Sequence, residues 1–272
     1  WLGQGVKLGH GSLKAALDAF DTRTNPEQGQ IVLVTGRAPR SDGRTLQAGA
    51  PVGRDVPLSR YLENASMEDP AACFRRPVAC GTAPALLIDR ALLEKLEGFD
   101  SRLESERAQL ADVCLRAAEL GQHVLYEPAF LSTQDVSDKE ASAFDEADRH
   151  RLRRSHSAVF AQAFPPSSRL AARARSVAGP STKRILFIED RVPVRSLGSG
   201  FVRSNDIVRT MAALGHQVTV FPIYASVDPL SRIYADFPPG VEVLHDRGFE
   251  TLDTFLQDRS GSWDWVWIGR TP

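Results

Sequence analysis

Arg184-Ile185-Leu186-Phe187-Ile188, the loop through Gly198-Ser199-Gly200, and Leu214-Gly215-His216-Gln217-Val218-Thr219-Val220 decide how the C-terminal third of this chain is read. The run Ile185–Ile188 is short and wholly apolar, which predicts a buried strand. A loop from Glu189 to Gly200 leads into a helix predicted over Phe201–Leu214 and closed by Gly215. Gln217–Phe221 reads as the next strand. Strand, helix and strand make one βαβ unit, which implies a parallel sheet and a right-handed crossover. Val241–Leu244 and Trp265–Ile268 read as further strands, with a helix over Glu250–Gln257 between them. The zone from Lys183 to Pro272 is thus predicted to be α/β, with about four strands and no second half.

Upstream lies a change of composition. From Arg149 to Arg184 there are nine Lys and Arg and no Asp or Glu. Arg149–Phe164 reads as a helix, broken by Pro165-Pro166-Ser167-Ser168, and Gly179-Pro180-Ser181-Thr182 reads as a linker. Two readings of this basic segment stand. One is a patch for an anionic membrane surface or lipid-linked phosphates. The other is a solvated helix face and a linker. His150 and His156 are six apart, about 240° around a helix axis, so they fall on different faces and do not suggest a metal site.

The first zone runs to Ser137. A helix is predicted over Ser12–Phe20 and a buried strand over Ile31–Val34. Ser41-Asp42-Gly43 marks a turn, and a loop-rich stretch extends to Ala79. Ala85–Ile88 reads as a second strand. Glu104–Leu120 is an amphipathic helix with Leu110, Val113, Cys114 and Ala117 on one face. Gly121 caps it, and His123–Tyr126 resumes a strand.

The bulk numbers are ordinary. The chain has 272 residues, a net charge of −1 and 42% hydrophobic residues. Nothing in this balance points to nucleic acid. No apolar run approaches the ~20 residues of a membrane helix. The chain opens on Trp1, with neither the charged nor the apolar region of a signal peptide, and the absent starting Met predicts a fragment or a processed chain. Cys73, Cys80 and Cys114 form no metal-type grouping, and an odd count suits a reducing cytoplasm.

Several phrases of the first zone occur together: Asp42-Gly43-Arg44-Thr45-Leu46-Gln47-Ala48-Gly49; Cys80-Gly81-Thr82-Ala83-Pro84-Ala85-Leu86-Leu87-Ile88-Asp89-Arg90; Glu97-Gly98-Phe99-Asp100; Asp112-Val113-Cys114-Leu115-Arg116, followed by Gly121 and Tyr126-Glu127-Pro128. Their order resembles the acceptor-side half of family-2 glycosyltransferases, which have the GT-A fold. The resemblance covers residues 1–137 and implies a partial mixed-sheet domain. Such enzymes hold a sugar-nucleotide diphosphate through Mn or Mg on an Asp-any-Asp motif. A carboxylate deprotonates the acceptor hydroxyl, and a histidine near the end of the domain helps with the metal or diphosphate.

This sequence departs from the pattern at all three places. The metal aspartates fall on Gly3, Gln4 and Gly5. The acidic pair before Asp112 falls on Gln109 and Leu110. The histidine falls near Gln134. Neutral side chains supply neither metal charge nor a base, so an inactive module is expected, with no cofactor held by this chain and Mn or Mg expected only for an intact site of this type. Asp112 is the remaining candidate for a catalytic base, or else a helix residue paired with Arg116 at i+4. Gly98, Phe99 and Asp100 are the acceptor-binding candidates, with Phe99 alternatively a core residue.

From Lys183 onward the chain resembles the N-terminal half of a GT-B glycosyltransferase of the family-4 type. The phrases are Arg184-Ile185-Leu186-Phe187-Ile188-Glu189-Asp190, Val192-Pro193, Gly198-Ser199-Gly200-Phe201-Val202-Arg203-Ser204-Asn205 and Leu214–Val220. The resemblance implies a Rossmann-like half-domain whose Gly-rich loop faces the acceptor. Gly198, Ser199, Gly200, Arg203 and Asn205 are the acceptor-binding candidates. Small glycines admit a ligand to the backbone, and a helix N-terminus offers N–H groups and partial positive charge. Alternatively the glycines only make the turn and Arg203 is solvated. His216 is not expected to be catalytic. No G-x-G-x-x-G and no acidic end to the second strand point to a dinucleotide. Trp263, Trp265 and Trp267 alternate as aromatics of one strand would, for packing or for sugar stacking.

The domains expected are residues 1–137, a basic helix and linker at 138–182, and 183–272. The resemblances imply part of a bacterial glycosyltransferase that moves sugar from a nucleotide sugar to a glycan or lipid-linked acceptor in surface polysaccharide synthesis. They place it in the cytoplasm or peripheral to the inner membrane. A non-catalytic module that binds glycan or a partner is the alternative.

Overall fold

The computed structural model describes residues 1–3, 5–21, 30–40, 42–50, 52, 62, 64–81, 84–134, 146–162 and 182–269. Gln4, Ser41, Thr82, Ala83, the Pro165–Ser168 break and most of the 179–182 linker lie outside them. The chain is α/β and forms two compact units. The first comprises Trp1–Met67 with Arg76–Val177. The second comprises Glu68–Arg75 with Ala178–Pro272.

The first unit is built on a mixed sheet. Its centre is β2 (Ile31–Pro39), parallel to β6 (His123–Gln134). β3 (Thr45–Ala48) and β5 (Leu86–Ile88) pair antiparallel with β2. β1 (Val6–Leu8) and β4 (Arg76–Val78) pair antiparallel with β6. Ile31–Val34 is buried throughout because the sheet is covered on both sides. α1 (Ser12–Phe20) sets Ala16 and Ala19 against Val34, Leu125 and Phe130. Val32 meets Leu92 of α2 (Arg90–Lys95) and Ala117 of α3 (Glu106–Glu119).

Local chemistry fixes the helix ends. Asp89 caps α2 by accepting from the N–H groups of Ala91 at 2.7 Å and Leu92 at 3.4 Å. Ser105 caps α3 through the N–H of Ala108 at 3.2 Å. Gly121, at φ 71°, turns the chain out of α3 where the sequence placed a cap.

The predicted helix over Arg149–Phe164 is two: α4 (Glu146–Ser155) and α5 (Ser157–Gln162). The break falls at His156, so His150 and His156 do not share a helix. Both helices belong to the first unit, where α4 meets α3. No described helix is long and apolar enough to cross a membrane.

The second unit has a parallel sheet. β7 (Arg184–Glu189), β8 (Gln217–Pro222), β9 (Glu242–Val243) and β10 (Trp265–Ile268) lie in the order β10-β7-β8-β9. α6 (Ser199–Ala213) supplies Val208 to one face, with Val218, Val220 and Ile233, the last from α7 (Leu230–Asp236). α8 (Leu252–Asp258) covers the other face through Phe255, against Phe221. Gly215 at φ 85° ends the α6 segment as the sequence predicted. Glu68–Arg75 joins this unit through the N–H of Arg75, which donates to the carbonyl of Pro239 at 2.6 Å.

Candidate functional site

The order β10-β7-β8-β9 places a change of direction between β7 and β10. In open parallel sheets, ligands bind beyond the strand ends at such a point. β7 ends there in Glu189, and β10 is followed by Gly269, whose N–H donates to the carbonyl of Ile188 at 2.8 Å. Glu189 is fully buried. Its carboxylate accepts from the hydroxyl of Ser204, on α6, and from the N–H of Asp190 at 3.0 Å. A Cβ at position 269 would come within 2.5 Å of that carboxylate, so only glycine fits without a shift.

Gly198 adopts φ 125° and ψ 173°, a backbone that L side chains rarely take, and so lets the loop swing into α6. The N–H groups of Phe201 and Val202 turn back to the carbonyl of Gly198. Those of Ser199 and Gly200 have no acceptor among the described residues, as the first N–H groups of a helix do not. Arg203 lies one turn along, exposed, on the face of Ser199. That face lines an open groove of about 540 Å³, with Ser199, Val202, Arg203 and Asp206 at one end and Ile207, Thr210 and Met211 beyond. Four of the five acceptor-binding candidates of this zone therefore share one helix start.

Asn205 does not join them. It is fully buried, and its amide donates to the carbonyls of Pro193 at 3.0 Å and Asp236 at 3.4 Å. Residues on α6 point inward or outward according to the 100° step, and Asn205 lies on the inner side with Ser204 and Val208. It holds the loop before α6 and faces no open space. His216 takes a structural place too: its Nδ1 accepts from the N–H of Lys183 at 3.3 Å, and its ring meets Trp265 edge-on. Trp263 lies outside β10, packed on Phe255, while Trp267 stacks on Phe187 at 6.3 Å.

In the first unit, Asp112 sits on α3 and is 3% exposed. Its Oδ2 accepts from Nε of Arg116 at 2.7 Å, the i+4 pairing that the sequence offered. Its Oδ1 lies 2.8 Å from Nε2 of His156, a partner the sequence did not disclose. Arg116 also donates to the carbonyls of Leu96 at 2.6 Å and Gly98 at 2.9 Å. This clamp fixes the turn after α2, where Glu97 and Gly98 both have positive φ. Phe99 is half-buried in that turn. Asp100 is bound by the Arg102 side chain, which holds its carboxyl down at about 2, further helped by the N–H of Arg102.

At the positions to which the family-2 resemblance assigns the metal aspartates, Gly3 is buried and Gly5 has φ 72°. Glycine suits both. Among the described residues no group of three or more His, Cys, Asp or Glu is set to hold a metal ion. Comparison with models of protein families, with curated proteins and with solved structures finds no match to this chain.

Proposed function

We propose that the chain is part of a sugar-transferring enzyme in which the second unit supplies the acceptor side of a GT-B-like site. The observation that carries this reading is the start of α6. Gly198 at φ 125°, two N–H groups without acceptors among the described residues and the exposed Arg203 meet at this helix start, and the Ser204–Glu189 hydrogen bond ties the same turn to the end of β7. Together they suit a phosphate or a sugar phosphate, which the helix terminus attracts and a guanidinium can grip with two hydrogen bonds. A lipid-linked sugar phosphate is an acceptor of this chemistry.

The first unit, in this reading, is a GT-A relative without chemistry of its own. A general base must reach the acceptor hydroxyl with a free lone pair. Asp112 is enclosed, with Arg116 on one oxygen and His156 on the other. The same enclosure favours the alternative for this unit alone, a non-catalytic module that binds glycan or a partner.

The test is an amide NMR titration of the full chain with glucose 1-phosphate. Shifts are expected at Ser199, Gly200 and their neighbours, and Arg203→Ala should weaken binding at least about tenfold, since each charge-assisted hydrogen bond lost is worth about 1.5 kcal/mol. Shifts confined to other residues, or affinity unchanged in Arg203→Ala, would remove the basis for this site.

A further inference from the structure

The described part of the basic zone is fastened to the first unit by two polar clamps that the proposed function does not use. The first is Asp148 of α4, whose side chain is fully buried. It accepts from the N–H groups of Glu104 at 3.0 Å and Ser105 at 2.9 Å, and from the Ser105 hydroxyl at 2.7 Å. Burial works against its charge, yet these hydrogen bonds hold its pKa below the ordinary value. Asp148 so extends the cap at the start of α3.

The second clamp is His156, between α4 and α5 and 3% exposed. Its Nε2 lies 2.8 Å from Asp112 Oδ1 and its Nδ1 lies 2.8 Å from Glu119 Oε1, both on α3. A neutral imidazole has one donor and one acceptor nitrogen, and only the imidazolium donates from both. Two carboxylates at this distance therefore select the charged ring. The charged groups of α3 on this side are Asp112, Arg116 and Glu119. Arg116 is directed to Asp112 Oδ2 and to two carbonyls, so it balances part of the Asp112 charge. On the strap's own side, Arg153 and Arg154 are exposed to solvent.

We propose that α4–α5 is a strap held on α3 by protonated His156, released when that proton leaves. Release would uncover the Asp112 carboxylate and leave Asp148 as the remaining clamp. A neutral ring can donate to one carboxylate only, and it turns a lone pair toward the other, which leaves a buried acceptor unmatched.

The sign of the pH dependence follows from the same contacts. Burial lowers the affinity of His156 for its proton, but the hydrogen bonds to Asp112 and Glu119 outweigh it, and the pKa is raised. A raised folded-state value means that the stabilisation is complete below the unfolded value of about 6.5 and is lost as pH rises through the folded one. The strap is therefore closed in mild acid and loosens toward alkaline pH.

Hydrogen–deuterium exchange of the full chain from about pH 6 to about pH 9, corrected for the intrinsic rate, tests this. Protection of residues 146–162, relative to β7 and β8 as reference, is expected to fall several-fold in the native sequence. It should stay level in His156→Gln, whose amide keeps a donor and an acceptor without titrating. Level protection in the native sequence, or an equal fall in the variant, overturns the proposal. Should His156→Gln not fold, the ring titration by NMR in the native chain decides. A His156 that titrates at or below about 6.5 refutes the latch, and one that titrates above it supports the latch.

Discussion

Arg259→Met is expected to lower the stability of the second unit by about 3–5 kcal/mol, the cost of leaving a buried charge without its partner. Glu242 on β9 is fully buried. Its carboxylate takes both arms of Arg259, at 2.8 and 3.0 Å, and the Thr219 hydroxyl at 2.8 Å. Methionine preserves contact with Phe255, over whose ring the guanidinium lies at 4.9 Å, and removes only the charge and its hydrogen bonds. The check is urea unfolding followed by the fluorescence of Trp263, Trp265 and Trp267. Replacing Glu242 by Leu in the same chain should restore much of the loss, because it removes the unpaired buried charge at the cost of the Thr219 hydrogen bond alone. A loss under about 1 kcal/mol in Arg259→Met would place this pair with solvent-screened surface bridges instead.

Asp112→Ala is expected to cost the first unit a similar ~3–5 kcal/mol, since two cations meet on that carboxylate. His156 would retain Glu119 alone, and Arg116 would retain only the carbonyls of Leu96 and Gly98. Unfolding followed by circular dichroism should show an early transition for the first unit and an unchanged one for the second. Arg203→Ala, at an exposed position, should leave both within about 0.5 kcal/mol. If Asp112→Ala were as stable as the native chain, the carboxylate would not be a brace, and its role as a base would return to consideration.

The parallel sheet was legible because the β7–α6–β8 segment states its period openly. Four apolar residues, a glycine loop and a Gly215 stop each point the same way. Short elements were not legible. β4 is Arg76-Pro77-Val78, which carries no alternating pattern, and α7 spans Leu230–Asp236 with Ile233 alone fully buried. The strand expected over Val241–Leu244 narrows to Glu242–Val243.

The candidate sites divide in the same manner. Gly198, Ser199, Gly200 and Arg203 come together because they are adjacent in sequence, and a helix start needs nothing remote. The polar core was hidden because its partners are distant. Ser204 lies 15 residues from Glu189, and His156 lies 44 from Asp112. The sequence signal for Glu189 was present, as an acidic residue directly after the apolar run Ile185–Ile188. For Asn205 the helical step alone would have turned it inward beside Ser204 and Val208. Nothing in the composition of the basic run foretold that His156 would enter the first unit, because burying a histidine there depends on two carboxylates supplied by α3.

Calorimetric titration of the full chain with UDP, GDP and their common sugars, with and without manganese, tests the division of labour most directly. In the proposed reading no manganese-dependent heat is expected, because Gly3, Gly5 and an enclosed Asp112 stand at the positions to which the family-2 resemblance would assign metal and base. Tight binding that requires manganese and is lost in Asp112→Asn would contradict it and return the chemistry to the first unit.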